Sequence, residues 1–136
     1  MKKNIQFTLL LSSLLFFSAN LHANNDDKQC KEIAFQKDAS QYSGHYYLSG
    51  VMEVGSELLL EKSGKFKWYL AVGSLDQYAE GTWWKNQNCI GLKPNKKYTK
   101  YLSIFPEYLD LSNKTLDVVW NDNRRQGAYL KASTDD

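Results

Sequence analysis

The sequence predicts an all-β fold: a small antiparallel up-and-down barrel or closed sandwich of about seven or eight short strands. Three observations predict it. From residue 42 onward, aromatic and β-branched residues alternate with polar ones at period two. Gly, Ser and Asn clusters punctuate that alternation at short intervals. Nowhere do strand patterns alternate with helical ones as an α/β chain would require.

The N-terminus comes first. Met1-Lys2-Lys3 is a basic n-region, residues 5–17 are largely apolar, and Leu21-His22-Ala23 offers a small residue at a cleavage point. Residues 1–23 are therefore expected to be a secretory signal peptide. The other possibility is an uncleaved anchor, but the apolar run is short and interrupted. No cysteine follows the run directly, as a lipid anchor would need. Removing 23 of the 136 residues leaves a single modest domain. Loss of Lys2 and Lys3 brings the 17 basic residues to 15, matching the 15 acidic ones. A neutral chain speaks against a basic nucleic-acid-binding domain.

Residues 24–41 are expected to form a polar lead-in, extended or briefly helical. Cys30 and Cys89 make an even count in an exported chain, so one structural disulfide is expected, closing a loop of about 60 residues. Nothing in their spacing suggests a redox-active pair. The β domain is placed at 42–131. Its clearest unit is a hairpin over 56–72. Leu58 and Leu60 share one face, Ser63-Gly64 turns, and Phe66, Trp68, Leu70 and Val72 follow at period two. Glu61 and Lys65 flank that turn and are expected to pair across it. Further strands are expected over 45–53, bent at Gly50, and over 78–85, 89–93, 98–105, 116–120 and 126–131, with a turn at Asn121-Asp122-Asn123. Residues 132–136 are expected to fray.

Catalytic chemistry is sparse. His45 is the one histidine beyond the signal peptide, so a histidine-based metal site has too few ligands. It is expected to be an exposed strand residue. No G-x-S-x-G elbow and no Gly-rich phosphate loop occur. Lys96-Lys97 and Arg124-Arg125 are short basic spots flanking turns. Glu53, Glu57, Asp76 and Glu80 are the only paired-carboxylate candidates for a hydrolase. Neither metal nor cofactor is expected, and the chain is taken as non-enzymatic.

The aromatics carry more information. Trp68, Trp83 and Trp120 fall on apolar-facing positions. Adjacent residues in a strand point to opposite sides, so Tyr46/Tyr47, Trp68/Tyr69 and Trp83/Trp84 each place one ring inside and one outside. Exposed Tyr and Trp serve either as contact residues or as cross-strand pairs on the outer face. The expected contact set is Tyr47, Tyr69, Tyr78 and Trp84, with Glu53, Glu57 and Asp76.

The run Gly44-His45-Tyr46-Tyr47-Leu48-Ser49-Gly50-Val51-Met52-Glu53-Val54-Gly55-Ser56-Glu57-Leu58-Leu59-Leu60 continues into Gly64-Lys65-Phe66-Lys67-Trp68-Tyr69-Leu70. Gly73-Ser74-Leu75-Asp76 and Ala79-Glu80-Gly81-Thr82-Trp83 follow. The pattern resembles a group of small exported proteobacterial β proteins of unassigned activity. More loosely, it is similar to lipocalin-like envelope barrels. That likeness implies a barrel with a glycine where strands crowd and a Trp plugging one end. It implies no catalytic motif, and it carries over no functional residue. The expected role is an exported, periplasmic or secreted, protein-binding domain, such as an inhibitor or an immunity protein against an envelope-acting toxin. The alternative is a lipocalin-like binder of a small apolar ligand or glycan. Nucleic acid and stable membrane insertion are not expected.

Overall fold

A computed structural model describes residues 30–133. The expected signal peptide, the first part of the lead-in and the last tail residues lie outside that range. Eight strands close into an antiparallel up-and-down barrel. They are β1 (Gly44–Ser49), β2 (Val54–Leu60), β3 (Lys65–Val72), β4 (Leu75–Asn86), β5 (Cys89–Pro94), β6 (Pro106–Asp110), β7 (Leu116–Trp120) and β8 (Arg125–Lys131). Each strand pairs with its neighbour in sequence. The seam closes where Tyr46–Ser49 of β1 meet Ala128–Lys131 of β8.

Period-two alternation is what lets these strands enclose a core. In β3, Phe66, Trp68 and Leu70 are buried while Lys65, Lys67 and Tyr69 are exposed. The inward set also includes Tyr46, Leu58, Leu60, Trp83, Ile90, Val118, Trp120 and Tyr129. Eight strands leave room only for side chains or one small ligand. Here the side chains take it: Phe105 packs edge-on against Trp68 at 5.0 Å, and Trp68 is 1% exposed. Two inward positions are polar, Ser56 and Gln77.

The lead-in runs irregularly from Cys30 into a 3-10 helix, Lys37–Tyr42, which ends just before β1. Phe35 meets Trp83 edge-on at 5.0 Å, and the Trp83 indole N–H donates to the Glu61 carbonyl, closing that end of the barrel. Gly81 lies where β4 passes from β3 to β5. A Cβ there would lie 1.9 Å from the Lys93 carbonyl oxygen.

Three expectations are corrected. First, 98–105 is not a strand. Lys96–Thr99 is a short helix, α1, and the sixth strand begins at Pro106. Leu102, Ile104 and Phe105 face the core as a cover across the barrel end, not as one side of a sheet. Proline is tolerated as a first strand residue, where it need not donate to the ladder. Second, β1 stops at Ser49, and residues 50–53 turn, with Gly50 at φ +84° and Glu53 at φ +62°. Third, Glu61 and Lys65 pair across the turn through the backbone, the Glu61 N–H donating to the Lys65 carbonyl at 2.9 Å, and not through an ion pair. The Glu61 carboxylate takes the Ser63 hydroxyl instead, at 3.3 Å.

Candidate functional site

The outer wall of the barrel has two halves, set by what the strands present outward. Across β1 to β4 the register brings Tyr47 opposite Glu57, Glu57 opposite Tyr69, and Tyr69 opposite Tyr78. Leu130 of β8 extends the same row beyond Tyr47. The neighbouring row is His45, Leu59, Lys67 and Glu80. Tyr47, Tyr69 and Tyr78 are 44%, 41% and 43% exposed, so this aromatic row faces solvent. Between the rows lies an open dish of about 250 Å³, bordered by His45, Glu57, Leu59, Lys67, Tyr69 and Tyr78.

The exposed rings are held in place. The Tyr69 hydroxyl donates to Asp76 at 3.0 Å and that of Tyr78 to Glu80 at 2.8 Å. Tyr98 of α1 donates to Glu80 as well, at 3.2 Å, and stacks edge-on against Tyr78 at 5.7 Å. His45 lies over Tyr47 at 4.6 Å and reaches the Glu57 carboxylate at 3.5 Å. Ionisation follows these contacts. Partial burial and the hydrogen bond to Glu80 push the Tyr78 phenol up to about 12. The bond to Asp76 raises Tyr69. The Tyr78 phenol, joined by Tyr98, holds Glu80 below its ordinary value. A glycosidase acid needs the opposite, a carboxyl raised towards neutrality.

The second half of the wall is covered. Trp84, Gly91, Tyr108 and Val119 stand in register across β4 to β7. Cys30 closes over them through its disulfide to Cys89, with the two Cα atoms 5.9 Å apart. Trp84 therefore fails as an expected contact residue. It points outward as alternation requires, yet it is only 6% exposed. Its indole rests on Gly91, where a Cβ would meet the ring at 2.1 Å. Its N–H is buried with no partner among the described residues. The Asn86 side chain donates to the Lys31 carbonyl, and Lys93 pairs with Glu32 at 3.2 Å, fixing the lead-in along this face.

Of the expected contact residues, the fold gathers Tyr47, Tyr69, Tyr78, Glu57 and Asp76 on one wall. Glu53 stands apart in the turn between β1 and β2, and Trp84 lies under the lead-in. Leu59, Tyr98, Glu80 and Leu130 join the wall without having been expected there as contacts. The hairpin register could have placed Leu59 and Glu80. Leu130 depends on barrel closure, and Tyr98 on the course of the β5–β6 connection.

Two other concavities lie among the described residues. One, of about 170 Å³, sits at the barrel mouth among Val51, Val54, Leu70, Val72, Ile104 and Trp120. It is smaller than the roughly 300–1,000 Å³ of ordinary ligand pockets. The other, of about 240 Å³, opens where β5 and β6 part after three paired positions, beside Trp84, Leu92 and Tyr108. Among the described residues, no three His, Cys, Asp or Glu side chains lie close enough to hold a metal ion. No helix among them is long and apolar enough to cross a membrane. The disulfide belongs to an oxidising, exported compartment. No protein-family model matches the chain, and neither a curated protein nor a solved structure matches it.

Proposed function

We propose that the chain is a non-enzymatic binding domain of the periplasm or medium, and that its β1–β4 wall takes a protein partner. An inhibitor, or an immunity protein against an envelope-acting toxin, is the kind of role this fits. The observation that supports it most is the in-register row of Tyr47, Glu57, Tyr69 and Tyr78. Tyrosines make hot-spot contacts at low entropic cost when already immobilised. Tyr69 and Tyr78 are immobilised through their hydroxyls. Those hydroxyls already donate, so apart from Lys67 and His45 the wall offers mainly acceptors: phenol oxygens and the carboxylates of Glu57, Asp76 and Glu80. The fitting partner is donor-rich, with Arg or Lys side chains that stack on the rings and meet the carboxylates. The lipocalin-like alternative has the small mouth cavity and the shallow concavity beside β5 and β6 to work with, because core side chains fill the interior.

The test is a paired affinity capture from envelope extract and culture filtrate, with wild type and Y69A/Y78A immobilised in the oxidised state. Wild type is expected to retain one stoichiometric protein through a salt wash. The double variant is expected to bind it at least roughly thirtyfold more weakly, with its thermal midpoint nearly unchanged. Equal retention by the two columns, or unfolding of the variant, would assign the tyrosines to sheet packing instead.

A further inference from the structure

A second surface lies at the other end of the barrel from the 3-10 helix, and it meets the wall where Tyr98 packs against Tyr78 and Glu80. Residues 95–105, which carry α1, join β5 to β6 and form the longest connection between strands. Long connections on rigid scaffolds often carry function. This one is firmly held. Gln77 points into the barrel, is 4% exposed, and commits its whole amide to the connection. Its Oε1 accepts from the Ser103 N–H at 2.7 Å, the Ser103 hydroxyl at 2.9 Å and the Ile104 N–H at 3.2 Å. Its Nε2 donates to the Ile104 carbonyl at 2.6 Å. Asn121 adds a bond to the Ser103 carbonyl at 3.1 Å.

With its underside fixed, the segment displays cations and aromatics outward. Lys96, Lys97 and Lys100 are exposed and have no carboxylate within ion-pair distance among the described residues. Lys97 Nζ lies 5.0 Å from the Tyr98 ring centre, and Lys100 Nζ lies 4.9 Å from that of Tyr101. Tyr101 is 67% exposed. Met52, in the 50–53 turn on the same rim, is 89% exposed. These are the two most exposed large apolar side chains among the described residues. Glu53, Asp76, Glu107, Arg125 and the Asp122–Arg124 pair also lie at this end of the barrel, so the unpaired positive charge is concentrated in the 96–100 segment.

We infer that this rim docks on an anionic phospholipid surface. Lys96, Lys97 and Lys100 meet headgroup phosphates, while Tyr101 and Met52 enter the headgroup–acyl boundary. Lysines are compact point charges on flexible stems. They suit a mobile array of phosphates, whereas a defined carboxylate pair would call for the arginine fork. Tyrosine is amphipathic and settles at a membrane interface. Loop tips project outward and suit a soft surface better than a protein pocket. Attachment of this kind is peripheral and weakened by salt.

Vesicle co-sedimentation of the oxidised protein tests the inference. Binding is expected to vesicles of mixed phosphatidylcholine and phosphatidylglycerol, not to phosphatidylcholine alone, and is expected to vanish at high salt. Each single Lys→Ala change at 96, 97 or 100 should lower partitioning about fivefold, and the triple variant should abolish it. Y101A and M52A should weaken binding while leaving its salt dependence intact. Y47A, on the wall but away from α1, should bind vesicles like wild type, which separates this rim from the wall. No binding to the anionic vesicles at low salt would overturn the inference. So would undiminished binding by a folded triple variant, or complete displacement by polyglutamate at matched charge, which would indicate an acidic protein instead.

Discussion

Tyr129 shows how one residue organises the interior. It is 1% exposed, and its hydroxyl lies 2.7 Å from Ser56 Oγ and 2.8 Å from the Trp68 indole nitrogen. Ser56 has one proton, which it gives to the Tyr69 carbonyl at 2.6 Å. Tyr129 must therefore donate to Ser56 while accepting from Trp68, and the chain of donors is complete from indole to carbonyl. Burial pushes the Tyr129 phenol up to about 12. Tyr129→Phe would leave the Trp68 N–H unsatisfied and is expected to cost about 1–3 kcal/mol in urea unfolding. At this scale the alternation was readable: Trp68 and Trp83 inward, Tyr47, Tyr69 and Tyr78 outward. The fate of Trp84 was not. Pointing outward is a local property of the strand, but its cover comes from Cys30, far away in sequence. Ser56 and Gln77 were equally opaque, because each is a polar residue on an inward position whose partners come from other strands or loops.

Among the elements, the hairpins were the most legible, since two alternating runs and a Ser-Gly pair define both strands and register. The sixth strand differs from the expected 98–105 because an alternating run precedes Pro106, where the strand begins. Its true limits depend on Gln77 drawing 103–104 across the barrel end, a tertiary effect. At its other end β6 stops at Asp110, whose carboxylate accepts from the Ser112 N–H at 2.9 Å, the Ser112 hydroxyl at 2.5 Å and Arg125 of β8 at 2.9 Å. These bonds, those from Ser112 first, hold Asp110 down to about 2, from an ordinary 3.8. A lowered carboxylate stabilises the fold above its ordinary value and loses that contribution as pH falls towards the lowered one. The urea midpoint of wild type should therefore fall between about pH 4 and pH 2, and Asp110→Asn should flatten that part of the profile. An unchanged profile in the variant would assign the acid limb to other carboxylates.

For the molecule as a whole, the closed up-and-down fold class and the Cys30–Cys89 bond were readable from the strand alternation and the even cysteine count, but the register of the seam was not. No local pattern announces which residues of β8 will pair with β1. The disulfide spans 59 positions, and in the chain-entropy model its loss costs about 4 kcal/mol. C30S/C89S should show that loss and a red-shifted Trp emission as Trp84 meets water. An unshifted spectrum would mean that the lead-in stays in place without the bond. The seam itself has a bearing on timing. A chain emerging N-terminus first can form its hairpins one after another, yet β1 waits for residues 128–131 before its outer edge is satisfied. Until then the growing sheet has two bare edges, which are sites for unwanted pairing. Ring closure is thus a late, long-range event that depends on the final strand. Truncation within β8 would remove the last stave and leave an open, association-prone sheet.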